Sequence, residues 1–261
     1  MPPSFAYYAA FPVTKGFELP MKQLGCVIIL LALAGCPNFK DARVTPEHRQ
    51  LLNKAAVVVF LDADPILQHL QLSVKETTLT TGQVAGWDVR QLTEVFLLKR
   101  MKGMGLTVKS IPYTTKDFPS PYDSRWTYPN PPRMRQALAH WGAVNDVNMV
   151  VAVYRQVDQD FIGHSIENLN GYGIVKHQEE RVDAYADVYM EVINSDDGGV
   201  IGNVGAQETV ALDKQAWRAA YDVDKTPVAI SGADAKLLVA KLDEVLTKAL
   251  QTAAQEVGLS R

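Results

Sequence analysis

Between Val182 and Ile193 the side chains alternate without a break. Val182, Ala184, Ala186, Val188, Met190 and Val192 take one set of positions, and Asp183, Tyr185, Asp187, Tyr189, Glu191 and Ile193 take the other. Successive side chains of an extended chain point to opposite faces, so a period of two held this long specifies a strand with one face in a core and the other largely polar. Asn194-Ser195-Asp196-Asp197-Gly198-Gly199 is a turn sequence, and Val200 to Ala211 returns as the antiparallel partner.

The segments around this hairpin supply the rest of a layered domain. Ala55–Leu61 is a short β-branched run that suits a strand buried on both faces. Leu67–Thr81 reads as extended. Asp88, with Gln91 three residues on, starts a helix to Lys102 with Leu92, Val95 and Phe96 at helical spacing and Gly103 as its left-handed stop. Lys99, Arg100 and Lys102 suit the negative end of that helix. Leu106–Ile111 is a strand. Pro131-Pro132 opens a second helix that carries Met134, Ala137, Leu138 and Trp141 on one side, and Val147–Tyr154 is a further apolar strand. A short helix starts at Thr45-Pro46, another is expected over 213–220, and the chain closes with a long helix. Ser231 with Asp234 gives that last helix its start, Leu238, Leu242, Val245, Leu246, Ala249, Leu250 and Ala253 its apolar stripe, and Gly258 its C-cap. The fold class expected is α/β (α+β): a mixed or antiparallel sheet with helices packed on one face and a long C-terminal helix.

Upstream of this domain lies Met21-Lys22-Gln23-Leu24-Gly25-Cys26, followed by an apolar run to Ala34-Gly35-Cys36. One basic residue, a short apolar core and small residues at its end make a secretory signal. The 11 residues from Leu24 to Ala34 fall well below the roughly 20 that span a bilayer. Leu33-Ala34-Gly35-Cys36 resembles the lipobox of bacterial lipoproteins. The resemblance implies cleavage between Gly35 and Cys36, a diacylglyceryl group on the Cys36 thiol and attachment to a membrane through acyl chains. It also implies an address. Asp after the lipidated cysteine favours the inner membrane, whereas Pro37 here points to the periplasmic face of the outer membrane, with the inner membrane as the alternative. Residues 1–20 are then an upstream extension, 21–35 the signal peptide, 36–44 a tether and 45–261 a single periplasmic domain.

Composition narrows the partners. The chain carries 26 basic and 29 acidic side chains, a net charge of −3, which gives no electrostatic reason to expect nucleic-acid binding. No basic cluster stands along the sequence to hold anionic lipid heads. The only cysteines are Cys26 and Cys36. Processing discards the first and lipidation uses the second, so the mature domain is expected to have no disulfide, thiolate metal site or thiol nucleophile. No cofactor or metal is expected.

The mature domain also resembles the periplasmic α/β lipoproteins grouped with the curli-secretion lipoprotein and the activators of penicillin-binding proteins. The likeness lies in Ala55–Leu61, the helix Asp88–Lys102, the strand Val147–Tyr154 and the segment Tyr185–Gly202, where a strand enters a Gly-containing turn and returns through Val200-Ile201. Members of that group bind other envelope proteins, and some assemble into rings. The resemblance therefore implies a non-enzymatic scaffold with an envelope protein partner, and a homo-oligomer as a further option.

Motifs for chemistry are sparse. His48, His69, His140, His164 and His177 make no ligand pair at helical spacing; His164 and His177 flank a hairpin region where they could meet. Asp62 and Asp64 end a buried strand and offer the alternative of a lipoprotein enzyme such as a cell-wall hydrolase, although Pro65 beside them fits plain turn formation. Gly163-His164-Ser165-Ile166-Glu167 lacks the second glycine of a nucleophile elbow. Residues 112–132 stand out instead. Six prolines share this stretch with Tyr122, Arg125, Trp126 and Tyr128, the residue types that dominate protein–protein hot spots. These four are the candidate partner-binding residues; the competing reading is a loop pinned to its own domain by its rings.

Overall fold

The structure, a computed structural model, describes residues 42–61, 66–71, 78–84, 87–119, 132–158, 169–176, 181–213, 228–230 and 232–260. The alternating segment is β9 (Val182–Asn194), and its partner β10 (Val200–Ala211) pairs with it antiparallel along almost its whole length. The other edge of β9 is shared by two strands end to end. Val188–Asn194 pair with β5 (Met149–Arg155), and Val182–Ala186 pair with β8 (Tyr172–Lys176), both antiparallel.

Two wings therefore leave one central strand. In the first, β5 continues to β1 (Lys54–Val59) and β4 (Thr107–Lys109), all parallel. In the second, β8 continues to β2 (Ile66–Gln71), β3 (Thr78–Val84) and β11 (Val228–Ile230), with β2 and β3 antiparallel. These nine strands form one mixed sheet among the described residues. A separate two-residue pair joins β6 (Val157–Asp158) to β7 (Leu169–Asn170). The expected fold class is what is found: a mixed sheet, helices packed on it and a long C-terminal helix.

Among the described residues four α-helices flank the sheet: α1 (Pro46–Leu51), α2 (Val89–Gly103), α3 (Pro132–Val144) and α4 (Gly232–Glu256). The expectation of helices on one face is corrected. α2 and α4 cover the face formed by Ala55, Val57, Val59, Met149, Val151, Val153 and the even-numbered residues of β9. α3 covers the opposite face, where Met134 and Leu138 meet Ala56, Val58, Phe60, Val150, Ala152, Tyr154 and Ile193. Parallel strands buried on both sides explain why β1 and β5 read as continuous apolar runs. The α4 stripe is the one expected, with Leu242, Val245, Leu246, Ala249, Leu250 and Ala253 fully buried.

In α2 the outcome differs in detail. Asp88 caps the helix by accepting from the Gln91 amide, but the buried positions are Val89, Thr93, Leu97 and Met101, while Val95 is exposed. Buried residues four apart form a stripe one step round from the one the spacing suggested. The helix also runs through Gly103. The left-handed residue is Gly105, at φ +86°, where the Leu106 amide reaches back to the Met101 carbonyl. The short helix expected over 213–220 lies almost wholly outside the described residues.

Candidate functional site

The polar face of β9 is the first place to look for chemistry, because burial and charge coincide there. A half-polar strand was expected, yet Asp183, Tyr185, Asp187, Glu191 and Ile193 are all buried, and only Tyr189 on that face is half-exposed. Taking carboxylates out of water is costly unless cations accompany them. The cations come from outside the strand. Arg181 chelates Asp183, with Nε 3.1 Å and Nη2 2.5 Å from its two oxygens. Arg135 of α3 donates from Nε (3.0 Å) and Nη2 (2.9 Å) to one oxygen of Glu191, while Oε2 of Glu191 is buried with no hydrogen bond. Burial pushes Glu191 up to about 7 against the opposing pull of Arg135. Burial, with the Asp187 carboxylate and Tyr172 nearby, also holds the Tyr185 phenol well above its ordinary value.

An aromatic cluster continues from this face. Tyr154 stacks on Phe60 at 4.9 Å, Phe118 meets Phe60 edge-on at 5.5 Å, and Trp141 touches both Tyr113 and Phe118 at 6.0 Å. The Tyr113 hydroxyl accepts from the Val59 amide (2.6 Å) and donates to Glu94 (2.7 Å), and Arg90 lies over its ring. The described start of the proline-rich loop is thus held on its own domain by Tyr113 and Phe118.

The third feature lies where the C-terminal ends of α2 and α4 come together. A cleft of about 870 Å³ is lined by Phe96, Lys99, Arg100, Gly103, Met104, Gln255 and Ser260. Its construction follows from two glycines. Gly105 ends α2, as described above. Gly258, at φ +87°, ends α4 where a C-cap was expected, with the Leu259 amide bonded back to the Ala254 carbonyl. The turn at Gly258 aims the tail at α2. There Arg100 Nε donates to the Leu259 carbonyl (2.7 Å) and Arg49 Nη1 donates to the Ser260 carbonyl (3.2 Å). Burial lowers the Arg100 pKa, but a guanidinium stays charged throughout the physiological range.

The first described residues dock at the same end. The Val44 amide donates to the Val257 carbonyl (2.8 Å), and the Asn203 amide of β10 donates to the Ala42 carbonyl (2.9 Å). Glycine is required at both contacts. A Cβ on Gly258 would stand 2.4 Å from the Val44 carbonyl oxygen, and one on Gly202 would stand 2.7 Å from Val257. Basic residues separate in the sequence come together at this end: Arg49 and Arg100 both bind the tail after Gly258, Lys99 and Arg100 line the cleft, and Arg43 precedes the docked Val44.

The residues singled out from sequence fare differently. Gly35, Cys36, Asp62, Asp64, Tyr122, Arg125, Trp126, Tyr128, His164 and His177 lie outside the described residues. His48 is a capping residue, its Nδ1 accepting from the Thr45 amide while its own amide donates to the Thr45 hydroxyl. His140 is exposed on α3. Among the described residues no group of three His, Cys, Asp or Glu is placed to hold a metal ion, and no helix is long and apolar enough to cross a membrane. Sequence reasoning missed the burial of Glu191 because its partner Arg135 is far away in the chain, and that of Asp183 although its partner Arg181 is two residues off. It assigned Lys99, Arg100 and Lys102 to the helix dipole alone.

No family model matches the sequence, and no curated protein matches it. Among solved structures, a Xanthomonas campestris protein of family DUF330 covers 79% of this chain and 84% of its own at 7% identity, with a TM-score of 0.40. The PelC dodecamer of Paraburkholderia phytofirmans covers 80% and 89% at 12% identity, with a TM-score of 0.37. A hypothetical protein of Chlamydia trachomatis covers 79% and 97% at 9% identity, with a TM-score of 0.38. Likenesses this distant carry no conclusion about function.

Proposed function

We propose that this protein is an envelope lipoprotein, anchored through acyl chains on Cys36, whose periplasmic domain binds or scaffolds other envelope proteins without catalysis. The observation that carries the reading is the run Met21–Cys36, in which a basic head, an apolar core and Leu-Ala-Gly end on a cysteine. A single acyl chain binds membranes only marginally, at about K ≈ 10⁴ M⁻¹, so stable attachment needs the second and third chains that lipoprotein processing supplies. Pro37 favours the outer membrane as the destination. The aromatic residues Tyr122, Trp126 and Tyr128, with Arg125, are the proposed partner contacts.

The anchor is tested by mass spectrometry of the mature chain together with palmitate labelling. The expected result is an acylated Cys36 at the N-terminus and no label in Cys36→Ala; an unmodified cysteine in the wild type would reject the reading. The partner role is tested by crosslinking in intact cells with wild type and Tyr122→Ala/Trp126→Ala. A several-fold drop in one reproducible crosslinked protein, at an unchanged melting temperature, is expected. A lowered melting temperature would instead show these rings packed on their own domain.

A further inference from the structure

We infer that the cleft between the C-terminal turns of α2 and α4 is where the domain rests on the anionic headgroups of the membrane that holds it. This rests on the lipoprotein reading, which supplies the anchor, and three observations carry it further.

The first is position. Cys36 stands six residue steps before Ala42, the first described residue, and six steps span at most about 22 Å of extended chain. Val44 is bonded to Val257, within a few residues of the cleft-lining Gln255 and Ser260. An anchor on Cys36 therefore holds this end of the domain close to the lipid surface.

The second is the state of the cations. Elsewhere among the described residues seven basic side chains are matched to carboxylates, while Lys116, Arg133 and Lys236 stand singly and do not gather at a cavity. Lys54 and Lys109 hold Asp146, Lys241 and Lys248 hold Glu244, Arg90 holds Glu94, Arg135 holds Glu191 and Arg181 holds Asp183. At the cleft, Lys99 and Arg100 line the cavity with no carboxylate partner, and Lys102 follows on the same turn. Arg100 is held by its Nε bond to the Leu259 carbonyl and by its place over the Phe96 ring, 5.9 Å from the centroid, and among the described residues its two terminal amino groups make no hydrogen bond. Arg43 and Arg49 extend the positive surface. Such charges act only within about a Debye length, roughly 8 Å at physiological salt; the tether lets them come that close, and attraction to the headgroups would have to hold them there.

The third is the lining. Phe96 and Met104 give the cleft apolar walls beside its cations. A phosphate between Lys99 and Arg100 would have its glycerol and first acyl carbons against Phe96 and Met104. That arrangement fits a phospholipid in a bilayer surface.

The test uses the full acylated chain in vesicles of phosphatidylcholine, or of phosphatidylcholine mixed with phosphatidylglycerol, probed with a membrane-impermeant amine reagent. Labelling of Lys99 and Lys102 should fall on the anionic vesicles by on the order of fivefold, the effect of about one charge near such a surface. Lys241 and Lys248 of α4, paired with Glu244, serve as internal controls and should not change. High salt should restore labelling. In Lys99→Gln/Arg43→Gln, protection of Lys102 should be lost while flotation with vesicles persists. Flotation on both lipids with equal labelling of Lys99 and Lys102, or protection that survives the double substitution, overturns the inference and leaves the anchor intact. A chain that floats with neither lipid rejects the anchor, and with it the cleft's membrane role.

Discussion

The two faces of β9 belong to one strand and are buried to nearly the same degree, but by different means. Its even-numbered residues are apolar and meet α2 and α4 in a dry core of Leu, Val and Ala. Its odd-numbered residues are acids and tyrosines up to Ile193, and Glu191 and Asp183 among them are buried with Arg135 and Arg181 as their partners. Area removed from water stabilises the first face directly. On the second, every buried charge offsets part of what its neighbours gain, so that face is conditional on its partners and on pH. The faces should accordingly fail in different ways.

The largest effect belongs to the apolar face. Leu246 is fully buried between α4 and the sheet, and Leu246→Ala should cost about 2–5 kcal/mol in urea unfolding, the usual cost of a core cavity. The loss should be the same at pH 5 and pH 8, because nothing titratable is removed. A pH-dependent loss would mean that the two faces are coupled through the strand.

Glu191 should show the opposite behaviour. Its carboxyl is raised in the folded state to about 7 from an ordinary 4.5, so the folded protein binds this proton more tightly than the unfolded chain. The stability gained from that proton is fully present below pH 4.5. It declines as pH rises towards 7 and is constant above, a change of about 3 kcal/mol at 1.36 kcal/mol per unit. Glu191→Gln removes this slope. The difference in unfolding free energy between wild type and Glu191→Gln, followed from pH 4.5 to 8, isolates it from the other carboxylates. Parallel curves would show that Glu191 keeps one charge state throughout.

The same contrast explains what the amino-acid sequence could disclose. Apolar periodicity located β1, β5, β9, β10 and the stripe of α4, because on those elements burial depends on the residue's own side chain. It did not disclose that Glu191 of β9 is also inside, since its partner Arg135 arrives from α3, 56 positions away in the chain. Nor did it disclose that α3 covers the face opposite α2 and α4, because an amphipathic helix does not announce which side of a sheet it will cover. The cationic cleft was hidden for a related reason. Lys99, Arg100 and Lys102 were legible as a helix end, but Arg43 and Arg49 join them only because the turn at Gly258 lets Val44 dock on Val257. In α2, the stripe at 89, 93, 97 and 101 includes Thr93, whose hydroxyl donates to the Val89 carbonyl. That internal bond lets a polar residue hold a core position that a hydrophobicity pattern would leave outside.

The smallest of these effects decides how the proline-rich loop begins. Tyr113 is the first aromatic residue of that stretch, and its hydroxyl joins β1 to α2 through the Val59 amide and the Glu94 carboxylate. Burial keeps the phenol protonated far above neutral pH, so it serves as donor and acceptor at once. Tyr113→Phe keeps the ring against Phe118 and Trp141 and removes both bonds. One bond to a backbone amide and one to a partly exposed carboxylate together amount to about 1–2 kcal/mol. A loss in that range, with Leu246→Ala costing more, would show that the loop's root is held by hydrogen bonds on the polar face and that the apolar face dominates stability. A loss below about 0.5 kcal/mol would assign the root to ring packing alone. In that case Phe118 and Trp141, with no hydroxyl between them, would be the groups that fix where the loop leaves the domain.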